Sequence, residues 1–154
     1  PTTTGRDKYA VNELLKIVDL DLHEYAMDMF RAGTSLEGKT LEEIIYQDFK
    51  KFNLVYKNVG ISQVFTLDIN EIMNRKEEFV KLIDDITSDK YYLKIMAVTD
   101  IVNEGSYIFY TSSKEKLVRM IFEEDVHQGI YIDKCISRKK QIVPKVINAL
   151  NQLK

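Results

Sequence analysis

The stretch that decides the fold is residues 92–99, Tyr-Leu-Lys-Ile-Met-Ala-Val-Thr. Apart from Lys94, this stretch is almost continuously apolar. A short segment that is hydrophobic on both faces is typical of a strand in the middle of a sheet, where other layers cover both sides. We therefore predict a central β-strand here, and the neighbouring elements can be assigned outward from it.

Strand and helix signals alternate on the N-terminal side of this central strand. Residues 59–67 predict a longer, half-buried strand, and residues 53–57 predict a short strand before it. Between residues 69 and 88, apolar side chains recur at helical spacing. Asp68 stands where the cap of that helix would be. These signals predict a strand–strand–helix order that leads into the central strand.

The first part of the chain has helical spacing of its apolar residues. This spacing predicts helices over residues 8–18 and 22–31, the second of which ends at Gly33. Thr40, followed three residues later by Glu43, is typical of a capping box and opens a third helix.

The C-terminal side continues the alternation of strands and helices. Residues 103–105, Asn-Glu-Gly, predict a turn, which implies at least one antiparallel pair. Strands are predicted over residues 106–111 and 129–136, with a helix over residues 113–123 between them. Pro144 begins the last helix, at a position where its missing N–H costs little.

This order of elements predicts an α/β fold. We expect a central mixed, mostly parallel sheet of about five strands with helices on both faces. The chain has 154 residues, which is an ordinary size for one domain, so we expect a single domain over residues 1–154.

Composition and charge exclude several classes of protein. The net charge is −2 and the pI about 5.8, whereas a general nucleic-acid-binding domain is more basic. No apolar stretch approaches the roughly 18–20 residues of a membrane span. Cys135 is the only cysteine, which excludes an intrachain disulfide and fits a reducing compartment. We therefore expect a cytoplasmic protein that binds neither nucleic acid nor a membrane.

A basic run, Ser-Arg-Lys-Lys-Gln, occupies residues 137–141, between the last predicted strand and the last predicted helix. A helix N-terminus offers free backbone N–H groups and the positive end of the helix dipole. Guanidinium and ammonium groups at that point make a site suited to phosphate. By itself, such a run is also typical of a solvated surface, and both interpretations stay open at this level.

Lys39 stands at a second helix entrance, between Gly38 and Thr40. With Gly33 upstream, these residues match the end of a phosphate-binding loop, but Gly33 follows a predicted helix instead of a strand, which argues against a nucleotide motif. The chain has no His or Cys set at the spacing of a metal site and no nucleophile elbow. This pattern indicates a domain that holds an anion while another part of the protein does the chemistry.

Residues 137–144, Ser-Arg-Lys-Lys-Gln-Ile-Val-Pro, resemble the signature of the family II inorganic pyrophosphatases, the manganese-dependent type. In that family the signature lies in the C-terminal, DHH-associated domain. Other segments resemble the same domain in order and spacing, namely residues 1–4, 31–43, 63–68 and 98–106. The resemblance covers essentially the whole chain.

The resemblance implies a division of labour between two domains. An N-terminal DHH domain, whose motif this chain lacks, binds manganese (or magnesium or cobalt), and the C-terminal domain grips pyrophosphate. On this basis Arg138 and Lys139 bind the substrate phosphates and Lys39 joins them, while this chain holds no metal and no catalytic residue. The parent enzyme is expected to be a homodimer that hydrolyses pyrophosphate to two phosphates, and this fragment alone is expected to be inactive. Its partners are then pyrophosphate or phosphate and the N-terminal domain of the same parent chain.

Two positions depart from the family pattern. Phe65 stands where asparagine is frequent, and Lys145 where many members have a second proline. They leave open whether the parent carries regulatory CBS domains, and whether it acts on longer polyphosphates, as the exopolyphosphatases of the DHH superfamily do. The alternatives outside this family are a free-standing anion- or nucleotide-binding regulatory module and a structural domain with a solvated basic loop.

Lys50 lies outside the motif, so we expect its substitution to matter far less than that of Arg138 or Lys139.

Overall fold

The computed structural model describes residues 4–17, 21–34, 36–86 and 90–153. The chain divides into two compact units, Pro1–Gly33 and Thr34–Lys154, and each is described by itself. The single domain over residues 1–154 therefore stays a prediction. The first three residues of the segment at positions 1–4 lie outside the described residues.

The first unit contains the two helices that the apolar spacing predicts, α1 (Gly5–Ile17) and α2 (Leu22–Thr34). A reciprocal cap starts α1. The Asp7 carboxylate accepts a hydrogen bond from the Thr4 N–H (2.7 Å), and the Thr4 hydroxyl oxygen accepts one from the Asp7 N–H (3.3 Å). The hydrogen bonds from Thr4 lower the pKa of the Asp7 carboxyl, so the cap is formed by the ionised side chain.

The second unit is a five-stranded sheet with helices on both faces. In chain order its elements are α3 (Leu41–Tyr46), β1 (Phe49–Leu54), β2 (Lys57–Thr66), α4 (Asn70–Met73), α5 (Lys76–Asp85), β3 (Leu93–Asp100), β4 (Gly105–Tyr110), α6 (Glu115–Phe122), β5 (Ile130–Asp133) and α7 (Val143–Gln152). The sheet order is β1-β2-β3-β4-β5, so the predicted central strand is indeed the middle one. The predicted α/β class and mixed sheet are confirmed.

The prediction that the sheet is mostly parallel is wrong. Only β2 and β3 run parallel, and the other three neighbouring pairs are antiparallel. A two-residue turn joins β1 to β2, with positive φ at Val55 (49°) and Tyr56 (63°), which is the geometry of a tight hairpin. Helices α4 and α5 form the crossover that a parallel pair requires. The sequence signals located the strands but not these connections.

Three element boundaries also differ from those predicted. The first strand begins at Phe49, before the predicted residues 53–57, because β1 is an edge strand whose exposed polar residues hide the strand signal. The predicted helix over residues 69–88 is divided into α4 and α5. The last strand ends at Asp133, earlier than predicted, because Lys134 adopts a left-handed φ of 55° and turns the chain out of the sheet.

Each face of the sheet has its own hydrophobic core. One face packs against α6 and α7, and its buried residues include Ile61, Ile95, Ile108, Ile121 and Val146. The other face packs against α3, α4 and α5, and its buried residues include Ile44, Val64, Ile72, Phe79 and Met96. As far as the structure describes the chain, no helix is long and apolar enough to cross a bilayer.

Lys94 shows how a lysine fits into the central strand. Its side chain is buried, and its ammonium group donates to the carbonyl oxygens of Asp84 (2.9 Å) and Ile86 (2.7 Å) at the end of α5. The last carbonyl groups of a helix lack partners within the helix and lie at its negative dipole end. Burial lowers the pKa of Lys94, while Asp84 and Asp85 oppose this shift. Lys94 therefore caps α5 from the sheet.

Candidate functional site

The basic run lies at the end of the sheet where β2, β3 and β5 all terminate. Thr66 pairs with Asp100, Asp100 with Gly105, and Gly105 with Asp133. The carboxyl ends of the three strands therefore lie at one level. A short loop after β5 leads into one turn of π-helix, Arg138–Ile142, which continues directly into α7. Such π-turns are rare and occur frequently at functional sites.

The backbone N–H groups at the start of this turn are largely satisfied by the protein itself. The Ser137 hydroxyl accepts from the Lys140 N–H (3.2 Å), and the Ser137 carbonyl accepts from the Gln141 N–H (2.9 Å). The Arg138 N–H donates to Oε1 of Gln63 (3.2 Å). The expectation of free N–H groups at this helix entrance is wrong at these three positions. At these three positions, attraction of an anion must therefore come from the cationic side chains.

The guanidinium group of Arg138 is held by two other segments of the unit, and the residue is only 8% exposed. Its Nη1 donates to the carbonyl oxygens of Asp48 (2.6 Å) and Ile61 (3.2 Å), and its Nη2 donates to Oδ2 of Asp48 (2.9 Å). A guanidinium group has five N–H donors. The Nε–H and one Nη2–H thus have no acceptor among the described residues. Two donors on one planar group suit two oxygens of a phosphate.

Three cations contact the two residues that follow α3, Gln47 and Asp48. Arg138 pairs with one oxygen of the Asp48 carboxylate, and the Lys50 Nζ lies 4.0 Å from the other. The Lys39 Nζ donates to Oε1 of Gln47 (3.0 Å). These five residues are called the Asp48 cluster below. The predicted residues Arg138 and Lys39 thus bind two adjacent residues of one segment.

Lys50 belongs to this cluster, although its position in the sequence did not single it out. Both Lys50 and Lys51 lie on the edge strand β1, and adjacent exposed lysines carry no signal that separates a site residue from a solvated one. The shared carboxylate of Asp48 is the distinguishing feature, and it becomes visible only in the fold. The expectation that Lys50 matters far less than Arg138 stays a prediction, and this contact is a reason to measure it.

Lys139 is exposed, and its side chain has no hydrogen bond or ion pair within the part of the chain that the structure describes. Its position next to Arg138 is fixed by the π-helical turn. An ammonium group without a protein partner can meet a ligand without first breaking a contact. Lys140 is also exposed, and its side chain likewise has no hydrogen bond or ion pair among the described residues. Contacts within the protein therefore do not distinguish the two lysines.

Gln141, the last residue of the basic run, has a structural role. Its Oε1 accepts from the N–H groups of Ile136 (2.9 Å) and Ser137 (2.8 Å), and its Nε2 donates to the carbonyl oxygen of Lys134 (2.7 Å). The side chain therefore folds back onto the loop that precedes its own helix. These hydrogen bonds occupy the Gln141 amide within the protein.

The described side chains do not form a metal site. No group of three or more His, Cys, Asp or Glu residues comes together among them, so they do not fit manganese. His127 is exposed, and the side chain of His23 is not among those described. Cys135 is buried, and burial raises the pKa of its thiol, which disfavours the reactive thiolate. The cationic side chains of the basic run and of the Asp48 cluster can bind an anion.

The chain is similar to known proteins along nearly its whole length. A family model described as the DHHA2 domain matches residues 27–149. A relative from Clostridium acetobutylicum, named “Probable manganese-dependent inorganic pyrophosphatase”, is 40% identical over 152 residues, which cover 97% of this chain and 49% of the relative. A relative of the same name from Streptococcus agalactiae is 37% identical over 153 residues, which cover 98% and 49%.

Solved structures give a similar result. One solved structure, described as “Crystal structure of Methanococcus jannaschii putative family II inorganic pyrophosphatase”, matches with a TM-score of 0.75 and 32% identity. The match covers 98% of this chain and 50% of that one. The chain thus spans about half the length of the relatives that it matches.

Proposed function

Since this chain belongs to the DHHA2 domain family, we propose that it is the substrate-binding C-terminal half of a manganese-dependent inorganic pyrophosphatase. The intact enzyme would hydrolyse pyrophosphate to two phosphates. The proposal is supported by the names of relatives that are 40% and 37% identical to this chain. Because the matches cover 49% of those relatives, a second half, the N-terminal DHH domain, would complete the enzyme.

The observation that carries the proposal is the pair of N–H donors that Arg138 keeps open beside several lysines. Three N–H groups of the guanidinium are fixed by Asp48 and Ile61, so the remaining two are already oriented. We assign these two donors to two oxygens of one phosphate group. Lys139, Lys39 and Lys50 would act as point charges around the same anion.

The cations would act on the charge that develops as the phosphoanhydride bond breaks. Hydrolysis places additional negative charge on the departing phosphate, and donors fixed in advance stabilise this charge without reorganising during the reaction. Arg138 is suited to this role because its protein contacts already fix its plane. The chain would also orient the phosphorus atom for attack from the opposite side.

Activation of the attacking water is assigned to the half of the protein outside this chain. The described residues include no group that could hold manganese. A division of binding and water activation between two domains would let closure exclude bulk water and let opening release phosphate. We therefore propose that this chain alone does not hydrolyse pyrophosphate. We further propose that the parent enzyme is a cytoplasmic homodimer.

Phosphate release tests the proposed function. The parent protein, this chain joined to its N-terminal half, should release phosphate from pyrophosphate with manganese present, whereas this chain alone should not. Robust turnover by the chain alone would refute the division of labour. Faster release from tripolyphosphate than from pyrophosphate would favour an exopolyphosphatase. No release from either substrate would favour a binding module instead of an enzyme.

A further inference from the structure

We propose that Gln63 is a positioning residue for the phosphate-binding run, an inference that rests on the proposed function. Gln63 lies on β2 next to the central strand, and its side chain is almost completely buried. It has no charge, and its one hydrogen bond to the Asp48 cluster among the described residues is with the backbone N–H of Arg138. Its effect on substrate would therefore pass through the backbone of residues 136–138.

The hydrogen bonds of Gln63 fix both ends of that short segment. Its Nε2 donates to the carbonyl oxygen of Ile136 (3.1 Å), and its Oε1 accepts from the N–H of Arg138 (3.2 Å). A carbonyl group can only accept and a backbone N–H can only donate, so the orientation of the amide is determined by its partners. The side chain pairs with the loop as the backbone of a neighbouring strand would.

The amide is fixed in turn by a chain of hydroxyl groups on the two adjacent strands. The Gln63 Nε2 also donates to Oγ1 of Thr99 (2.9 Å), which lies 2.8 Å from Oγ of Ser106. The Ser106 hydroxyl donates to the carbonyl oxygen of Cys135. Since that hydroxyl has one proton, Thr99 must donate to Ser106. The donors thus run in one direction, from Gln63 through Thr99 and Ser106 to the carbonyl of Cys135 in the loop before Arg138.

This buried chain and Gln141 together hold the loop. Gln141 binds the N–H groups of Ile136 and Ser137 and the carbonyl of Lys134. Gln63 binds the carbonyl of Ile136 and the N–H of Arg138, and Ser106 binds the carbonyl of Cys135. The backbone of residues 134–138 is therefore fixed by side chains in place of a neighbouring strand. A loop fixed in this way presents Arg138 and Lys139 to an anion without being ordered by it.

Gln128 provides a matched control within the same chain. Its amide also pairs with a backbone, accepting from the N–H of Tyr110 (3.0 Å) and donating to the carbonyl of Tyr110 (2.8 Å). Its partner Tyr110 is the last residue of β4, whereas Ser106, which contacts the loop before the basic run, lies near the start of that strand. Among the described residues, no residue of the Asp48 cluster contacts Gln128. Loss of either amide removes similar hydrogen bonds, but only Gln63 contacts the segment that bears Arg138.

The test uses kinetics of the parent protein with pyrophosphate. Gln63→Met keeps the length of the side chain but removes its hydrogen bonds. We expect kcat/KM to fall about tenfold in Gln63→Met and to stay within about twofold in Gln128→Met, when both are measured well below their melting temperatures. In the Lys139→Ala background we expect Gln63→Met to have an additional effect of less than about threefold, because one of the positioned groups is gone.

The outcomes separate this inference from the proposed function. If the wild-type parent releases no phosphate, the proposed function fails and this inference fails with it. If the wild type is active but Gln63→Met behaves like Gln128→Met, or if the effects of Gln63→Met and Lys139→Ala multiply, only the positioning role is overturned. Should Gln63→Met fail to fold, Thr99→Val removes one bond of the amide. It should lower kcat/KM about threefold, and an unchanged value would overturn the proposal.

Discussion

The Nη2 atom of Arg138 lies 2.9 Å from Oδ2 of Asp48, a residue 90 positions earlier in the chain. Its Nη1 atom also binds the main-chain carbonyl of Asp48 (2.6 Å). One arginine therefore joins the loop before α7 to the segment that follows α3. The same contacts fix the plane in which the two remaining N–H donors of Arg138 lie.

We expect Asp48→Asn to destabilise the fold by about 1–2 kcal/mol. The substitution leaves a nearly buried guanidinium without its counter-charge, but Asp48 is 44% exposed, so the loss should be smaller than for a fully buried pair. Urea denaturation measures the free energy of unfolding. As a control, Glu78→Gln removes a surface pair with Arg75 (2.7 Å) and should change this value by less than about 0.5 kcal/mol. Equal losses in both variants would contradict an anchoring role for Asp48.

Lys139 and Lys140 allow a comparison between two adjacent residues that are both exposed. We expect Lys139→Ala to lower kcat/KM of the parent protein for pyrophosphate at least about tenfold, because a point charge at the phosphate is lost. Lys140→Ala should stay within about twofold. Steady-state kinetics with pyrophosphate measures both. The reverse order would assign the phosphate contact to Lys140.

Lys50 and Lys51 provide a second comparison, on β1. The Lys50 Nζ is within 4.0 Å of the carboxylate that Arg138 binds, whereas Lys51 lines a separate open pocket with Lys90 and Tyr91. We expect Lys50→Ala to raise KM for pyrophosphate severalfold and Lys51→Ala to leave it unchanged. Indistinguishable KM values for the two variants would indicate that Lys50 has no role in binding pyrophosphate.

Lys94 should make stability depend on pH. Burial lowers its pKa in the folded protein below the ordinary value of 10.5. Between the lowered pKa and 10.5, the unfolded chain binds more protons than the folded one, so the free energy of unfolding should rise with pH through that window. We expect the stability of the wild type relative to Lys94→Met to increase as the pH is raised from 7 toward 10. A constant or falling difference in denaturation experiments would contradict this assignment.

The sequence was sufficient to predict those elements of the fold whose signals are local. The apolar run at residues 92–99 predicted the central strand, and the capping box of Thr40 and Glu43 is present, with hydrogen bonds of 3.1 and 2.7 Å. The directions of the strands were harder to predict from the sequence, because they depend on connections such as the hairpin at Val55 and Tyr56. Local spacing does not specify how such a connection turns.

The site was predictable only in part, because its geometry depends on distant pairs. The basic run and the resemblance indicated Arg138, Lys139 and Lys39. They could not indicate that Asp48 would hold Arg138, or that Lys50 would share this carboxylate. These contacts join separate segments, and a charged residue on an edge strand looks the same in sequence whether or not it meets such a partner.

The most direct test of the central claim is a crystal structure of the parent protein with a non-hydrolysable pyrophosphate analogue. We predict phosphate oxygens at about 3 Å from the Nε and Nη2 atoms of Arg138, with the contact between Arg138 and Asp48 retained. An analogue bound elsewhere, with both of these nitrogen atoms away from any phosphate oxygen, would contradict the account.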